Sequence, residues 1–310
     1  MTQEINKMLH DVVANVEKVI IGKRDAVHMA LCSFLCGGHV LIEDMPGVGK
    51  TSLVSAMARS FDATFRRVQF TPDILPSDIT GFSMYNQKTG EFEYYQGAVM
   101  SNIILADEIN RTSPKTQAAL LEVMEENQVT VDGTTYDVPR PFIVFATQNP
   151  IEYLGTYPLP EAQLDRFFMR ISLGYPDAAQ EAVMLTMFKE GSPLKDLRPV
   201  ASVEQLVQAQ IASEKVHVSP VMAEYVVKIV RATRHHELVA LGGSPRASLC
   251  LYKAAQAWAM FNGRDHVVPD DIKKMAAAVL EHRLVMKQEA RLKKVGSRDV
   301  VEEILGKVRH

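Results

Sequence analysis

The hydrophobic pattern of roughly the first half of the chain alternates short continuous apolar runs with longer stretches of helical spacing. Continuous apolar runs are typical of strands that are buried on both faces of a parallel sheet. The stretches of helical spacing include residues 50–60 and 114–126. The predicted strands are at residues 40–43, 64–70, 102–107, 142–147 and 167–173. This alternation predicts an α/β sandwich with a parallel sheet over residues 1–175.

The pattern changes after about residue 175, where strand-like runs disappear and helical spacing continues. Two Ser-Pro pairs, at 219–220 and 244–245, each place a serine cap before a proline in the first helical turn. The predicted helices of this half are at residues 203–213, 220–235, 245–261 and 269–282. We therefore predict a smaller all-helical domain over 176–286, followed by a charge-rich tail over 287–310.

Composition narrows the class of protein. The 310 residues are 47% hydrophobic and 23% charged, with a net charge of −3, so the chain lacks the strongly basic balance that draws proteins to nucleic acid or anionic membranes. The cysteines Cys32, Cys36 and Cys250 do not have the spacing of a disulfide framework or a zinc site. With no run of 18 apolar residues, the sequence predicts no membrane segment, and we expect a cytoplasmic protein.

Residues 44–51, Asp-Met-Pro-Gly-Val-Gly-Lys-Thr, follow a predicted strand and open a predicted helix. Gly47 and Gly49 allow backbone N–H groups to face an anion, Lys50 can reach the β- and γ-phosphates, and the Thr51 hydroxyl can hold Mg²⁺. Asp44 stands where the general pattern has its first glycine. The segment predicts a phosphate-binding loop. The other predicted nucleotide-binding residues of this segment are Pro46, Val48 and Ser52.

Polar residues follow two further predicted strands. Asp107 and Glu108 come at the carboxyl end of a buried strand, where ligands bind in open α/β sheets. Asp107 suits the coordination of Mg²⁺, and Glu108 suits the polarisation of an attacking water, so the pair predicts hydrolysis as well as binding. Asn149 follows the strand at 142–147 and could contact the γ-phosphate or the attacking water; the alternative is an ordinary Asn-Pro turn.

Together these motifs resemble the AAA+ ATPases and, within them, the MoxR family, which shares a clade with the ATPase subunit of magnesium chelatase. The resemblance covers about residues 20 to 283. The motifs that carry it are LIEDMPGVGKT (41–51), IILADEINR (103–111), ATQNP (146–150), LPEAQLDRF (159–167) and GSPRA (243–247). It implies an AAA+ core, a P-loop α/β/α sandwich, followed by a helical lid domain.

The resemblance also implies a site that binds ATP and Mg²⁺. Arg166 is implied to be the arginine finger that reaches into the site of a neighbouring subunit, with Arg170 as a competitor, and Arg246 to touch the γ-phosphate of its own subunit. The base is implied to lie against residues 19–22, which include Ile21 and Gly22. The guanine-reading pattern Asn-Lys-x-Asp is absent, which favours ATP over GTP. The alternative for Arg166 is a salt bridge with Asp165 or Glu161.

Two segments, about 81–97 and 128–138, alternate polar and apolar residues and are predicted to be hairpins of the kind that this clade inserts. Tracking of a nucleic-acid backbone should use Lys or Arg. The first hairpin has Lys88 against Glu91 and Glu93, and the second has Asp132 and Asp137, so no nucleic-acid partner is favoured. The aromatic residues at 92, 94 and 95 either grip a polypeptide or pack within the hairpin.

The expected function follows from the resemblance. MoxR-type ATPases are similar to chaperones that remodel or mature a client protein, acting as a homo-oligomer, expected to be a hexameric ring, with a partner that carries a von Willebrand factor A domain. The alternatives are a metal-chelatase-type ATPase subunit, a nucleotide-gated scaffold with little turnover, and a nucleic-acid motor.

Overall fold

The structure, a computed structural model, describes residues 2–149, 155–189 and 191–309. The strands are β1 (Val40–Glu43), β2 (Phe65–Gln69), β3 (Gly81–Asn86), β4 (Glu91–Gln96), β5 (Ile103–Asp107), β6 (Gln128–Val131), β7 (Thr134–Asp137), β8 (Ile143–Gln148), β9 (Met169–Ile171), β10 (Val239–Leu241) and β11 (Val285–Met286). The α-helices are α1 (Thr2–Glu17), α2 (Arg24–Leu35), α3 (Lys50–Ser60), α4 (Pro76–Thr80), α5 (Pro114–Glu126), α6 (Glu161–Leu164), α7 (Ala178–Lys189), α8 (Pro193–Asp196), α9 (Val203–Glu214), α10 (Pro220–His235), α11 (Pro245–Phe261), α12 (Pro269–Leu280), α13 (Gln288–Leu292) and α14 (Ser297–Lys307). Short 3₁₀ helices span Ile109–Arg111 and Glu281–Arg283.

The central sheet has five strands in the order β2-β5-β8-β1-β9, and all its neighbouring strands are parallel. The predicted α/β architecture with a parallel sheet is therefore confirmed. The registers pair Glu43 with Gln148 and Gln69 with Asp107, so these strands end at the same edge of the sheet. Polar residues that directly follow the strands are thereby brought together.

The two faces of the sheet are covered by different sets of apolar side chains. Along β5, Ile103 and Leu105 join a large cluster that contains α1, α2, α3 and most of the lid, whereas Ile104 and Ala106 join a second cluster around α5. Successive residues of a strand point to opposite faces, so a fully buried strand must be apolar on both. The result is the three-layer sandwich that the continuous apolar runs indicate.

The helical half begins its helices as the sequence predicts. The hydroxyl of Ser219 accepts a hydrogen bond from the Met222 N–H, and the hydroxyl of Ser244 accepts one from the Ala247 N–H, each before a proline in the first turn. The predicted serine caps are therefore confirmed. Each cap satisfies one of the N–H groups that a helix leaves without an internal partner.

The C-terminal segment differs from its prediction as a tail. In α14, Val300, Val301 and Ile304 are buried, and the helix contacts α10 and α12 of the lid. The charges of this segment lie on the opposite face of an amphipathic helix, which is why its composition suggested a charged tail. Residues 297–307 are therefore a packed part of the lid domain.

Two antiparallel hairpins extend from the core domain. One pairs β3 with β4, and the other pairs β6 with β7. The ring of Tyr94 stacks on the ring of Tyr136 with centroids 4.1 Å apart, so the two hairpins pack against each other. Within the part of the chain that the structure describes, no helix is both long enough and apolar enough to cross a membrane.

Candidate active site

The loop of residues 44–49 connects β1 to the first turn of α3. Gly47 and Gly49 have φ angles of 83° and 96°, in the left-handed region that favours glycine. Apart from the glycine and its immediate chain neighbours, no described atom lies within 4 Å of the position that a Cβ would take at either glycine. The loop therefore leaves an open backbone cradle at the N-terminus of a helix, which fits a phosphate group.

Lys50 begins α3 directly after this loop. Its Nζ donates a hydrogen bond to the Asp44 carbonyl oxygen at 2.6 Å. Burial lowers the pKa of Lys50, and the carboxylates of Asp44, Asp107 and Glu108 oppose that shift. The ammonium group therefore lies within electrostatic range of both acids that follow β5. The structure thus brings the phosphate loop and the predicted catalytic acids together.

Asp107 and Glu108 are oriented by a threonine on the neighbouring strand β8. The Thr147 hydroxyl donates to Asp107 Oδ1 at 2.6 Å and accepts from the Glu108 N–H at 2.8 Å. Glu108 has a left-handed backbone, with φ 57° and ψ 49°, which turns its side chain out of the strand direction. One buried hydroxyl therefore fixes both acids relative to the sheet.

Two residues of β2 also contact these acids, and the sequence alone did not reveal them. Arg67 Nη2 donates to Asp107 Oδ2 at 2.7 Å. Gln69 Nε2 donates to Glu108 Oε2 at 2.7 Å, and Arg111 Nε lies 3.3 Å from the same oxygen. Residues 67 and 69 point to the same face of β2, as the two-residue period of a strand predicts. Which strand lies beside them follows only from the strand order of the sheet.

Two further predicted site residues, Thr51 and Asn149, lie at the same edge of the sheet. Thr51 lies in the first turn of α3, and Asn149 is buried directly after β8. Pro150, the last residue of the predicted ATQNP motif, lies outside the described residues. We call the loop of residues 44–51, together with Asp107, Glu108 and Asn149, the phosphate edge.

The phosphate edge offers hard oxygen ligands for a divalent ion. Mg²⁺ at a nucleotide takes one or two protein oxygens and completes its shell with phosphate and water. The Thr51 hydroxyl and the Asp107 carboxylate are of the right chemical type. Among the described residues, no group of three or more His, Cys, Asp or Glu side chains could hold a metal ion. The oxygen ligands of Thr51 and Asp107 fit Mg²⁺ that is held jointly with a nucleotide.

A cavity of about 330 Å³ adjoins the phosphate loop, within the usual size range of small-molecule sites. Its lining includes Val19, Ile20, Ile21, Pro46, Gly47, Val48, Gly49, Ser52, Tyr175, Pro176, Met184 and Leu194. Gly22 has a φ of 71°, and a Cβ there would lie 2.2 Å from the Gln180 side chain, so glycine permits helix α7 to approach residues 19–22. These mostly apolar walls can pack on a planar base beside the phosphate loop.

Arg166 and Arg246 lie together at the other edge of the sheet. Arg166 Nη2 is 2.9 Å from one carboxylate oxygen of Glu125, and Arg246 Nη2 is 2.5 Å from the other. A cavity beside them is also lined by His39, which directly precedes β1, and by Lys253. We call Arg166, Arg246 and Glu125 the arginine edge.

Arg246, which is expected to touch the γ-phosphate of its own subunit, lies away from the phosphate loop of its own chain in this structure. The phosphate loop follows the carboxyl end of β1, whereas Arg246 lies near the residues that precede its amino end. The reason is the anchoring of α11: its capping residue Ser244 donates to Asp165 Oδ2 at 2.9 Å. The start of the lid helix is thereby held beside Arg166.

A buried arginine completes this anchor. Arg283 Nε lies 2.9 Å from Asp165 Oδ1, and its other nitrogens donate to the carbonyl groups of Phe167, Phe168 and Val279. Asp165 therefore pairs with the lid, and Arg166 pairs with Glu125 instead of the alternatives Asp165 or Glu161. We call the contacts of Asp165 with Ser244 and Arg283 the lid anchor.

Arg170, the predicted competitor of Arg166, lies on β9. It is 2.5 Å from Glu43 Oε2 and 3.3 Å from Glu281 Oε1, and its side chain is half-buried. Two carboxylates of its own chain hold it between β1 and the lid. This arrangement favours Arg166 over Arg170 as a group that acts on another molecule.

His39 lies below the arginine edge. Its Nε2 is 2.9 Å from the Met124 carbonyl oxygen, and its Nδ1 accepts from the Val144 N–H at 3.0 Å, which assigns the neutral Nε2–H form. Burial lowers the pKa of His39 from 6.5 to about 4; the Met124 carbonyl opposes this shift and the charge of Arg246 adds to it. His39 is therefore a neutral structural residue at ordinary pH.

Comparison with known proteins agrees with this geometry. Residues 39–169 match the model of the ATPase family associated with various cellular activities (AAA), and residues 231–304 match the AAA lid domain. A crystal structure of a candidate ATPase from Cytophaga hutchinsonii superposes with a TM-score of 0.92 at 40% identity, covering 99% of this chain and 96% of that one. The fold and the site therefore define an AAA+ ATPase with a helical lid.

Curated relatives give the family. The chain is 41% identical to Chaperone MoxR1 of Mycobacterium tuberculosis, over 96% of this chain and 81% of that protein. It is 50% identical to protein YeaC of Bacillus subtilis, which is described as uncharacterized, over 99% of this chain and 96% of that protein. Magnesium-chelatase subunits are more distant, and the one from Arabidopsis thaliana matches 59% of this chain at 30% identity. The chain belongs to the MoxR family of AAA+ ATPases.

Proposed function

We propose that this protein hydrolyses Mg²⁺-bound ATP and uses the reaction to remodel or mature a client protein. The observation that carries the proposal is the convergence at the phosphate edge of Lys50, Asp107 and Glu108 beside an open glycine cradle. The adjoining apolar cavity has room for the base. A site that only bound nucleotide would not need Glu108 at this position.

Each residue of the phosphate edge has a role in this proposal. The backbone of Gly47 to Gly49 and the Lys50 ammonium bind the phosphates, and Thr51 and Asp107 hold Mg²⁺. When bound, Mg²⁺ neutralises charge that develops on the phosphate oxygens. Glu108 accepts a proton from the attacking water, and Asn149 orients that water or the γ-phosphate.

We propose that Arg166 and Arg246 both act on the site of a neighbouring subunit. They lie side by side at the edge of the sheet opposite to their own phosphate loop. Guanidinium groups near the transferring phosphoryl group stabilise its transition state. The two different edges of one chain then meet head to tail, an arrangement that forms a ring when the rotation between subunits closes, and we propose a hexameric ring.

The hairpin β3–β4 supports the action on a polypeptide client. Its exposed apolar side chains are Phe82, Met84, Tyr85, Phe92 and Tyr95, which are between 43% and 74% exposed. Tyr94 packs against Tyr136, whereas Phe92 and Tyr95 are exposed. Packing within the hairpins therefore accounts for Tyr94, and contact with a polypeptide remains open to Phe92 and Tyr95. Exposed apolar patches mark interaction sites, and the acids of this hairpin disfavour nucleic acid.

We further propose a cytoplasmic location and a partner that carries a von Willebrand factor A domain, on the strength of the family. A metal-chelatase-type subunit is a weaker alternative because the chelatase relatives are more distant than the MoxR relatives. A nucleotide-gated scaffold is the other alternative. It predicts that ATP changes the oligomer size while turnover stays at background.

The test is ATP turnover per chain over a range of protein concentrations, with Mg²⁺ present. The Lys50→Ala variant should lose ATP binding, and the Glu108→Gln variant should bind ATP but lose turnover by about 100-fold or more, as expected for general base catalysis. A rise of specific activity with concentration would indicate that subunits complete each other's sites. Full turnover by Glu108→Gln would contradict the assigned base, and ATP-dependent assembly of the wild type without turnover would favour the scaffold.

A further inference from the structure

We propose that Asp44 is a positioning residue that ties the phosphate loop to the start of the lid, so that a nucleotide at the loop changes the segment 172–174. This inference rests on the proposed ATP binding and goes beyond it. Asp44 stands at the position where the general phosphate-loop pattern has a glycine. The contacts of the Asp44 side chain explain why an aspartate stands at this position.

The Asp44 carboxylate is buried and is surrounded by donors. Its Oδ2 accepts hydrogen bonds from the Leu173 N–H at 2.5 Å, from the Gly174 N–H at 2.9 Å and from the Ser172 hydroxyl at 3.1 Å. Its Oδ1 lies 3.2 Å from the Met45 N. A buried carboxylate is stable only with such partners, and three of these come from a segment about 130 residues away.

The backbone of Asp44 makes a second contact that involves the predicted phosphate ligand. The Asp44 carbonyl oxygen accepts from Lys50 Nζ at 2.6 Å. When the Lys50 ammonium group binds a phosphate, its hydrogen bond to the Asp44 carbonyl oxygen is either shared with the phosphate or broken. One residue therefore senses the phosphate site through its carbonyl and holds the lid segment through its side chain.

The segment 172–174 leads directly from the sheet into the lid. It follows β9, and the next residues, Tyr175 and Pro176, line the cavity beside the phosphate loop. The Tyr175 carbonyl oxygen accepts from Lys23 Nζ at 2.7 Å. The tie at Asp44 thus fixes the distance between the phosphate loop and the opposite wall of the cavity.

A simpler alternative is that Asp44 only caps the turn at 172–174 and adds stability. A glycine at position 44 would leave the Leu173 and Gly174 N–H groups without this acceptor in either case. The simple cap and the coupled tie differ in how the hydrogen exchange of the Leu173 and Gly174 amides responds to nucleotide. A cap protects the two N–H groups equally with and without ligand, whereas a coupled tie makes their protection depend on the phosphate site.

The experiment is amide hydrogen exchange of the full chain with and without Mg²⁺-ADP, together with calorimetric measurement of ADP affinity. In the wild type, the Leu173 and Gly174 amides should exchange slowly, and ADP should slow them further. In Asp44→Ala, we expect these amides to exchange about tenfold faster, to lose their response to ADP, and the affinity for ADP to fall about tenfold.

Milder variants keep the test valid if Asp44→Ala folds poorly. Asp44→Asn retains one acceptor oxygen and should weaken ADP binding about threefold, and Ser172→Ala, which removes one donor, about twofold. Asp78→Asn is the matched control, because the Asp78 carboxylate likewise accepts from a backbone N–H, that of Leu75, on the same domain. It should leave ADP affinity and the exchange at 173–174 unchanged.

The hydrogen-exchange results distinguish the coupled tie from the simple cap. Unchanged exchange at 173 and 174 in Asp44→Ala would overturn the tie. Faster exchange that still slows with ADP as in the wild type would reduce Asp44 to a structural cap and would also overturn the proposal. If the wild type takes up neither ADP nor ATP, the proposed function fails, while the exchange of the two amides without nucleotide still decides whether the tie exists.

Discussion

The phosphate edge and the arginine edge lie at opposite ends of the same parallel strands, and they differ in what they contain. The phosphate edge combines an open glycine cradle, Lys50 and two acids with a cavity that can receive a base. The arginine edge has two guanidinium groups that share the Glu125 carboxylate, with Lys253 beside them. Phosphoryl transfer gains from both kinds of group near one phosphate. The separation therefore favours a site that is completed by a second copy of the chain.

Glu125 bears on the proposal that the arginine edge is half of a site that a neighbouring subunit completes. Its carboxylate bridges the two guanidinium groups, and it supplies an anion where the proposed function places the phosphates of a neighbour. The cluster keeps an excess of positive charge, because Lys253 lines the same cavity. A charged surface of this kind attracts a polyanion, which the phosphate edge of a neighbouring subunit with bound ATP would present.

The largest effect should come from dividing the two edges between chains. Glu108→Gln alone should lose turnover by about 100-fold or more, as expected for a general base. Arg166→Ala alone should lose about 1,000-fold or more, since an arginine finger contributes at least about a factor of this order. In an equal mixture, about a quarter of the junctions in a head-to-tail ring combine an intact Glu108 with an intact Arg166. Turnover of the mixture should therefore recover to a clearly measurable fraction of the wild-type rate.

The control for this mixture is Arg170→Ala, which removes an arginine of β9 that is paired within its own chain with Glu43 and Glu281. It should keep most of the turnover and should not need complementation. Native mass spectrometry can verify that the two inactive chains co-assemble. Mixed rings without any recovered turnover would contradict a finger that acts between subunits.

A second test separates the edges by loosening the lid anchor. The Arg283 side chain is 1% exposed and pairs with Asp165, so Arg283→Met leaves a partly buried carboxylate and several carbonyl groups without their donor. We expect a loss of about 3 kcal/mol in the free energy of unfolding. Because the anchor positions Arg246 beside Arg166, turnover should fall more than the affinity for ADP, which depends on the phosphate edge.

Urea unfolding followed by circular dichroism, and calorimetric titration with ADP, would check this expectation. The matched control is Arg298→Met on α14, whose partner Glu302 is 60% exposed. An exposed pair of this type contributes at most about 1 kcal/mol. Equal destabilisation by the two substitutions, or an equal loss of turnover and ADP affinity in Arg283→Met, would argue against the anchor.

The two edges also differ in how far the sequence could predict them. Lys50, Asp107 and Glu108 each belong to a short motif that directly follows a strand, so their meeting at one edge required only a parallel sheet. Arg67 and Gln69 carry no motif, and their contacts with the acids depend on β2 lying beside β5. Strand order is a long-range property that a local pattern does not contain.

The arginine edge depends even more on long-range packing. Arg246 was identified by its motif, but its location follows from the contact of Arg283 with Asp165, which are 118 residues apart in the chain. The same applies to Glu125, which lies near the end of an ordinary amphipathic helix and gave no signal of its own. Periodicity predicts that a helix has a buried face, and only the folded lid shows which group meets that face.

The smallest expected effect concerns the acid stability of the arginine edge. His39 is held neutral, with a pKa of about 4 in the folded chain against 6.5 for an exposed histidine. Because the pKa of His39 is lower in the folded chain, His39 of the unfolded chain binds a proton at a higher pH than His39 of the folded chain as the pH falls. The contribution of His39 is therefore fully present above about pH 6.5 and is lost as the pH falls toward about 4.

Between about pH 6.5 and about pH 5, this one group should reduce the free energy of unfolding by about 2 kcal/mol. His39→Gln should be less stable at neutral pH, because the Val144 N–H loses its acceptor, but its stability should decline less steeply with acid. Urea unfolding of both proteins across this pH range would measure the difference, with His235→Gln on the exposed side of the lid as the control. His28 and His282 also have lowered pKa values, so only the difference in slope between wild type and His39→Gln reports on His39. Identical slopes would mean that the histidine beneath the arginine edge accepts a proton as readily as one in water, and the electrostatic contrast between the two edges would lose one of its supports.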